Sequence, residues 1–329
     1  MARRPPNRRA ANLRAADPRS SGKGVSAKRF IVKASMAQQV HSQPAGNPPP
    51  GKLPQVKIRY CDAHLLVVEK PAGITTQRHA EERDWAEHRK DKAPTLEELL
   101  PRVLAAHLGW KTEAPPPVRR GPQLIRAKPP KLPAVIAVHR LDRDTSGLMV
   151  FARTPEAEHL LINQFKKHAV ERVYTAVCLG AITKPLTIKT QLVRNRGDGK
   201  RGSLPSGETR DDAQPAITHI IPIATIGDRY SIIECKLETG RTHQIRIHLS
   251  EIGHALCGDK IYRSVGADGK PLTDQSNAPR HALHSGRLSF THPITRADIK
   301  FSTPLPTELQ QWLNRLRREE SGATFRAKH

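Results

Sequence analysis

His139-Arg140-Leu141-Asp142-Arg143-Asp144-Thr145-Ser146-Gly147 is the stretch on which the reading of this 329-residue chain turns. Val135, Ile136, Ala137 and Val138 lead into it, and Leu148, Met149, Val150 and Phe151 lead out. Short apolar runs bounded by polar clusters read as buried strands. The residues between them form a loop that packs basic groups, two carboxylates, two hydroxyls and a glycine into one place. Polar loops on strand ends are where scaffolds carry chemistry. On pattern alone the stretch is equally a charged β-turn.

Working outward, Thr154-Pro155 supplies an N-cap and a proline at the first helical position. Ala157, Leu160, Leu161 and Phe165 then make one apolar stripe, with Lys166 and Lys167 at the cation-favouring end. Arg172 to Leu179 alternates as a strand, with Tyr174, Ala176 and Cys178 on one face. Residues 191–212 read as a Gly-rich charged loop. Ala216 to Ala224 and Tyr230 to Leu237 read as two paired strands turning at Gly227-Asp228. From Thr242 the period becomes helical, placing Ile245, Leu249 and Ile252 on one side and His243 and Arg246 opposite. The N-terminal end of that helix favours phosphate. Leu309, Trp312, Leu313 and Leu316 predict a closing helix.

Upstream, Val56 to Arg59 and Leu65 to Glu69 read as strands joined at Asp62-Ala63, followed by a Lys70-Pro71-Ala72-Gly73 turn. Lys70 is either a phosphate contact or part of that turn. Thr95 and Glu98 form a capping box ahead of Leu96, Leu99, Leu100, Val103 and Leu104. Pro101 inside that pattern predicts a late start or a kink. Pro115 to Lys131 is basic and Pro-rich, a surface insertion that either clasps a polyanion or is an inert loop.

The nine-residue stretch resembles the active-site motif of the RluA family of RNA pseudouridine synthases, His-Arg-Leu-Asp-x-x-Thr-Ser-Gly. Arg172-Val173-Tyr174-Thr175-Ala176-Val177, with Tyr174 32 residues beyond Asp142, resembles the family's second motif. Leu237-Glu238-Thr239-Gly240-Arg241-Thr242-His243-Gln244-Ile245-Arg246-Ile247-His248 resembles the third. Glu69 to Gly73, Gly258 to Tyr262, His281 to His284 and Ser302 to Pro306 also fall where the family has similar stretches. The resemblance implies an α+β fold: one mixed, mainly antiparallel sheet flanked by helices and loops around a central RNA-binding cleft. It places a catalytic domain at 55–317, interrupted by an insertion at 80–131, with a tail at 318–329. It implies that specific uridines of ribosomal or transfer RNA are isomerised, with no cofactor and no metal. Uracil is detached from its ribose, turned and rejoined through carbon. Asp142 would be the nucleophile, on the sugar C1′ or on the uracil ring. Asp144, at a variable position of the motif, is the rival carboxylate. Arg246 would pair with Asp142. Tyr174 would stack on uracil or remove a ribose proton. His139 and Arg140 would contact phosphate, fill the space left by the flipped base, or brace the loop. Thr145, Arg241, His243 and Lys70 complete the expected RNA-contacting set.

A net charge of +24 makes a polyanion the natural partner. No apolar run approaches the roughly 18 residues of a membrane span, so no membrane role is expected. Residues 1–54 hold eleven Lys or Arg, one acid (Asp17) and eight prolines, and are too polar to fold alone. They read as a disordered, phosphate-binding arm. A passive tail and an organelle transit peptide are the other readings. Their composition does not resemble the small RNA-binding domain that many family members carry there. Cys61, Cys178, Cys235 and Cys257 stand far apart, which points to reduced thiols in a cytoplasmic protein; a monomer is expected. Two further functions stand beside isomerisation. One is a catalytically silent RNA-binding protein of the same fold, against which intact Asp142, Tyr174 and Arg246 argue. The other is a glycoside hydrolase using Asp142 with Asp144, whose neutral substrate suits the charge less well.

Overall fold

Asp62 turns the start of the folded chain: its carboxylate accepts from the amides of His64 and Leu65, so β1 (Lys57–Cys61) and β2 (Leu65–Lys70) pair as a hairpin. The structure, a computed structural model, describes residues 55–78, 82, 93–110, 118–120, 123–125, 131–266 and 269–326. The basic arm 1–54 lies outside the described residues, as does much of 80–131. Within that segment stand α1 (Leu96–His107) and a two-stranded ribbon, β3 (Val118–Arg120) with β4 (Gln123–Ile125). Then come β5 (Ile136–Ala137), β6 (Ser146–Ala152), α2 (Pro155–Lys166), β7 (Glu171–Leu179), β8 (Leu186–Val193), β9 (Gly202–Ser203), β10 (Gln214–Ile226) and β11 (Tyr230–Leu237). The chain closes with α3 (Gln244–Glu251), β12 (Leu283–Thr291), β13 (Asp298–Ser302) and α4 (Thr307–Arg326).

One sheet runs β1-β2-β6-β12-β7-β11-β10-β8-β9, with β5 added to β6 and β13 to β12. Among the described residues only β6 and β12 pair in parallel, so the sheet is mixed and mainly antiparallel as expected. Every residue of β6 is buried, because the sheet is covered on both faces there. On one face Leu66, Val68, Met149, Phe151, Tyr174 and Ala176 pack against α1 and α3. On the other, Leu65, Val67, Leu148 and Val150 meet Ala157 and Leu161 of α2. Further along, Val177, Tyr230 and Ile232 take Trp312 and Leu313 of α4. Gly147 sits at φ +118°, where an added Cβ would run into the backbone of Ser285 across the parallel pair. Only glycine lets the motif enter β6 so close to β12. Among the described residues no helix is long and apolar enough to cross a membrane.

Four local expectations are revised. Pro101 neither delays nor ends α1. The capping box holds the first turn, the carbonyls of Thr75 and Thr76 take the free amides of Leu96 and Glu97, and buried leucines outweigh the one missing donor. The lead-in strand β5 shrinks to two half-buried residues. Ile252 lies just past α3 and is exposed, whereas Gln244 to Leu249 are buried all round. Finally, α4 runs to Arg326, through most of the stretch expected as a tail.

Candidate active site

β5 and β6 are antiparallel neighbours, so the motif must reverse the chain between Ala137 and Ser146. Backbone and buried side chains fasten that reversal. The Thr145 amide donates to the Asp142 carbonyl (3.1 Å). The Thr76 hydroxyl donates to the Leu141 carbonyl (2.9 Å). Lys70 Nζ donates to the carbonyls of Pro71 (2.9 Å) and Arg143 (2.8 Å). Arg280 donates to the carbonyl of Asp144 (2.8 Å).

Three residues of the expected RNA-contacting set, Lys70, Thr145 and His139, also have partners within the fold. Lys70 is 1% exposed and spent on the loop, and burial pushes its ammonium down to about 7. Thr145 is buried, with its hydroxyl 2.9 Å from His281 Nε2. His139 Nε2 accepts from the Val150 amide (3.0 Å), and its ring stacks on Phe165 with centroids 4.7 Å apart. Burial pushes that imidazole down to about 3, so it forms a neutral wall of the cleft and not a phosphate cation. In each case the polar group meets a backbone or side-chain partner that the fold brings in. Arg140 is different. It is exposed at the cleft rim, where a side chain can meet RNA. Arg241 also lines the cleft, half-buried, with Nε donating to the Pro215 carbonyl (3.1 Å).

The turn into α3 is locked by Gln244. Its Oε1 accepts from the Arg241 amide (3.0 Å) and the Thr239 hydroxyl (2.8 Å), and its Nε2 donates to the Ile217 carbonyl (3.0 Å). His243, the residue before Gln244, is in the left-handed region (φ 61°), and its ring lies toward Asp142, Nε2 to Oδ2 3.8 Å. Burial lowers the imidazole pKa, although Asp142 opposes that, so the ring is neutral near pH 7. Arg246 Nη1 lies 3.1 Å from Asp142 Oδ2. The same guanidinium grips Asp259 with Nε (2.7 Å) and Nη2 (3.0 Å) and sits 5.0 Å over the Tyr262 ring. Burial alone would lower the Arg246 pKa, but Asp259 and then Asp142 outweigh it and hold the group charged. Asp259 is in turn fixed by the amides of Ile261 (2.9 Å) and Tyr262 (3.0 Å). The Tyr262 hydroxyl is 2.8 Å from His243 Nδ1.

Asp142, Tyr174 and Arg246 therefore line one cleft of about 460 Å³, a volume within the range of small-ligand sites. Tyr174 is 6% exposed, and burial raises its phenol although Arg172 pulls it back. Asp144 does not line the cleft; its backbone serves Arg280. Asp259 and Tyr262 were not among the expected site residues. The one sequence signal for them was the Gly258 to Tyr262 stretch, since nothing local says that its aspartate faces a distant arginine.

Fold and site together define the class: the chain belongs to the RNA pseudouridylate synthase family, whose family model matches residues 64–251. It is 35% identical over 268 residues to the ribosomal large subunit pseudouridine synthase D of Neisseria meningitidis, covering 80% of this chain and 61% of that protein. To the protein of the same name in Xanthomonas campestris it is 32% identical over 276 residues, covering 82% of this chain and 71% of that one. Among solved structures, human RNA pseudouridylate synthase domain containing 4 shares the fold, with a TM-score of 0.56 at 21% identity over 79% of this chain and 92% of that chain.

Proposed function

We propose that this protein isomerises uridine to pseudouridine in large-subunit ribosomal RNA, with Asp142 as nucleophile. One observation carries the reading: a single carboxylate on the wall of a basic cleft, ion-paired to Arg246, with Tyr174 lining the same space. The bond from uracil N1 to ribose C1′ breaks and a bond from C5 to C1′ forms. The C5 proton is lost and N1 gains one, so the change is an isomerisation. Asp142 attacks C1′ or the uracil ring, and the neutral Tyr174 phenol either stacks on the base or takes a ribose proton. The uridine leaves its helix to be reached, at a cost of a few kcal/mol. Arg140 on the rim is placed to occupy the space it leaves. The ribosomal target is supported by the names of the Neisseria and Xanthomonas relatives. The four unpaired thiols, three of them buried, suit a reducing cytoplasm. A monomer is the assembly we propose.

Tritium release tests this. RNA labelled at uracil C5 should release tritium in proportion to pseudouridine formed from large-subunit ribosomal RNA, and not from transfer RNA. RNA binding without release would leave a silent binding protein, and cleavage of a sugar would point to the hydrolase.

We also propose that residues 1–54, outside the described residues, act as a phosphate-binding arm for the catalytic domain. Roughly three to five transient contacts at about 0.7 units each would mean that deleting 1–54 flattens the log-affinity against log-salt slope by about two to three units. The single-turnover rate at saturating enzyme should barely change. An unchanged slope would make the arm a passive tail or a targeting segment.

A further inference from the structure

Arg172 carries a charge that the chain itself does not answer. It is 8% exposed, yet no carboxylate lies within 4.0 Å of it among the described residues. The two acids nearest in sequence or by contact are engaged elsewhere: Glu171 with Lys236 (3.0 Å) and Glu238 with His219 (2.6 Å). Its Nη2 donates to the Glu238 carbonyl (3.1 Å), and its guanidinium lies 5.5 Å over the Phe165 ring. Its Nε is buried without a partner. Burying a cation without a counter-ion is costly, so an anion that arrives later is the economical explanation. Arg172 lines the same cleft as Asp142. A Cβ at Gly240 would collide with Nη1, so the third motif leaves that nitrogen its space.

We propose that Arg172 binds a phosphodiester flanking the target uridine, as a substrate-positioning contact of its own beside the Asp142–Arg246 pair. The inference rests on the RNA reading above. Ribose and uracil are neutral, so phosphate is the anion that such a substrate brings. Arg172 and Tyr174 are two residues apart on one face of β7, about 7 Å along the strand. That span suits one nucleotide, with its base at Tyr174 and its phosphate at Arg172. Phe165 and the Glu238 carbonyl hold the guanidinium in place before RNA arrives.

The test uses the full chain and a short uridine-containing single-stranded RNA. Arg172→Gln keeps a donor for the Glu238 carbonyl and removes the charge. It should weaken binding about tenfold and flatten the salt slope by about 0.7, while melting at or above the wild-type temperature. Arg172→Lys should keep the slope. Replacing one flanking phosphate with a neutral methylphosphonate should weaken wild-type binding and leave Arg172→Gln unaffected. A folded Arg172→Gln with a wild-type slope and a wild-type methylphosphonate penalty would overturn the proposal, and a lower melting temperature with an unmoved slope would make Arg172 structural. If Arg172→Gln does not fold, Gly240→Ala displaces Nη1 instead, and a wild-type slope there overturns it equally. Binding needs no turnover. A chain that binds RNA through Arg172 but releases no tritium would sink the isomerase reading and leave this one standing.

Discussion

Asp142→Asn should bind RNA as the wild type does and lose about four decades or more of single-turnover rate, because an amide is a poor nucleophile. The substitution is nearly isosteric. Its carbonyl oxygen can still accept from Arg246 Nη1, which holds the carboxylate at 3.1 Å. The Thr145–Asp142 turn is a backbone bond and is untouched. Fold and cleft should therefore survive, and the loss belongs to the chemistry. Asp144→Asn is the control. Its side chain does not line the cleft, and its carbonyl, which accepts from Arg280, is unchanged. It should keep most activity. Rapid-quench tritium release, with binding by anisotropy, separates the two. An active Asp142→Asn beside an inactive Asp144→Asn would reverse the assignment of the nucleophile.

Arg246→Ala should damage activity and stability together. The guanidinium links Asp142 to Asp259, whose side chain is 0% exposed. Removing it leaves Asp259 buried and unpaired, at about 3–5 kcal/mol, and takes the only cation from Asp142 within hydrogen-bond reach among the described residues. The single-turnover rate should fall by about three decades or more. The pH dependence identifies the cause. In the wild type, burial would raise the Asp259 pKa, but Arg246 and two amides pull it below its usual 3.8. The stabilisation is thus present above that value and lost as pH falls through the lower, folded pKa. Without Arg246, burial wins and the folded pKa rises, so protonation relieves the strain. The destabilisation of Arg246→Ala should be greatest near neutral pH and shrink toward pH 4. Denaturant melts across that range would show it, and a pH-independent deficit would mean that lost packing against Tyr262 is the cause. The double variant Arg246→Ala/Asp259→Ala should recover stability without recovering activity.

Periodicity and caps located most elements. The Thr95–Glu98 box starts α1, Thr154-Pro155 starts α2, and the alternation at Arg172 to Leu179 is β7. The motifs also singled out Asp142, Tyr174 and Arg246, which the fold brings into one cleft. These signals are local, because an element's period reports which of its sides is apolar. Tertiary structure alone decided where the polar groups go. Asp142 and Arg246 are 104 residues apart, and Lys70 reaches a carbonyl 73 residues away. The sequence left both a phosphate contact and a structural role open for Lys70 and His139, and only the fold shows the partners that they and Thr145 have within the chain. For the same reason Asp259 and Tyr262 went unselected and Arg172 looked like an ordinary strand residue. A donor's chemistry is written in its side chain, but its partner is whatever the packed sheet carries to within about 3 Å of it.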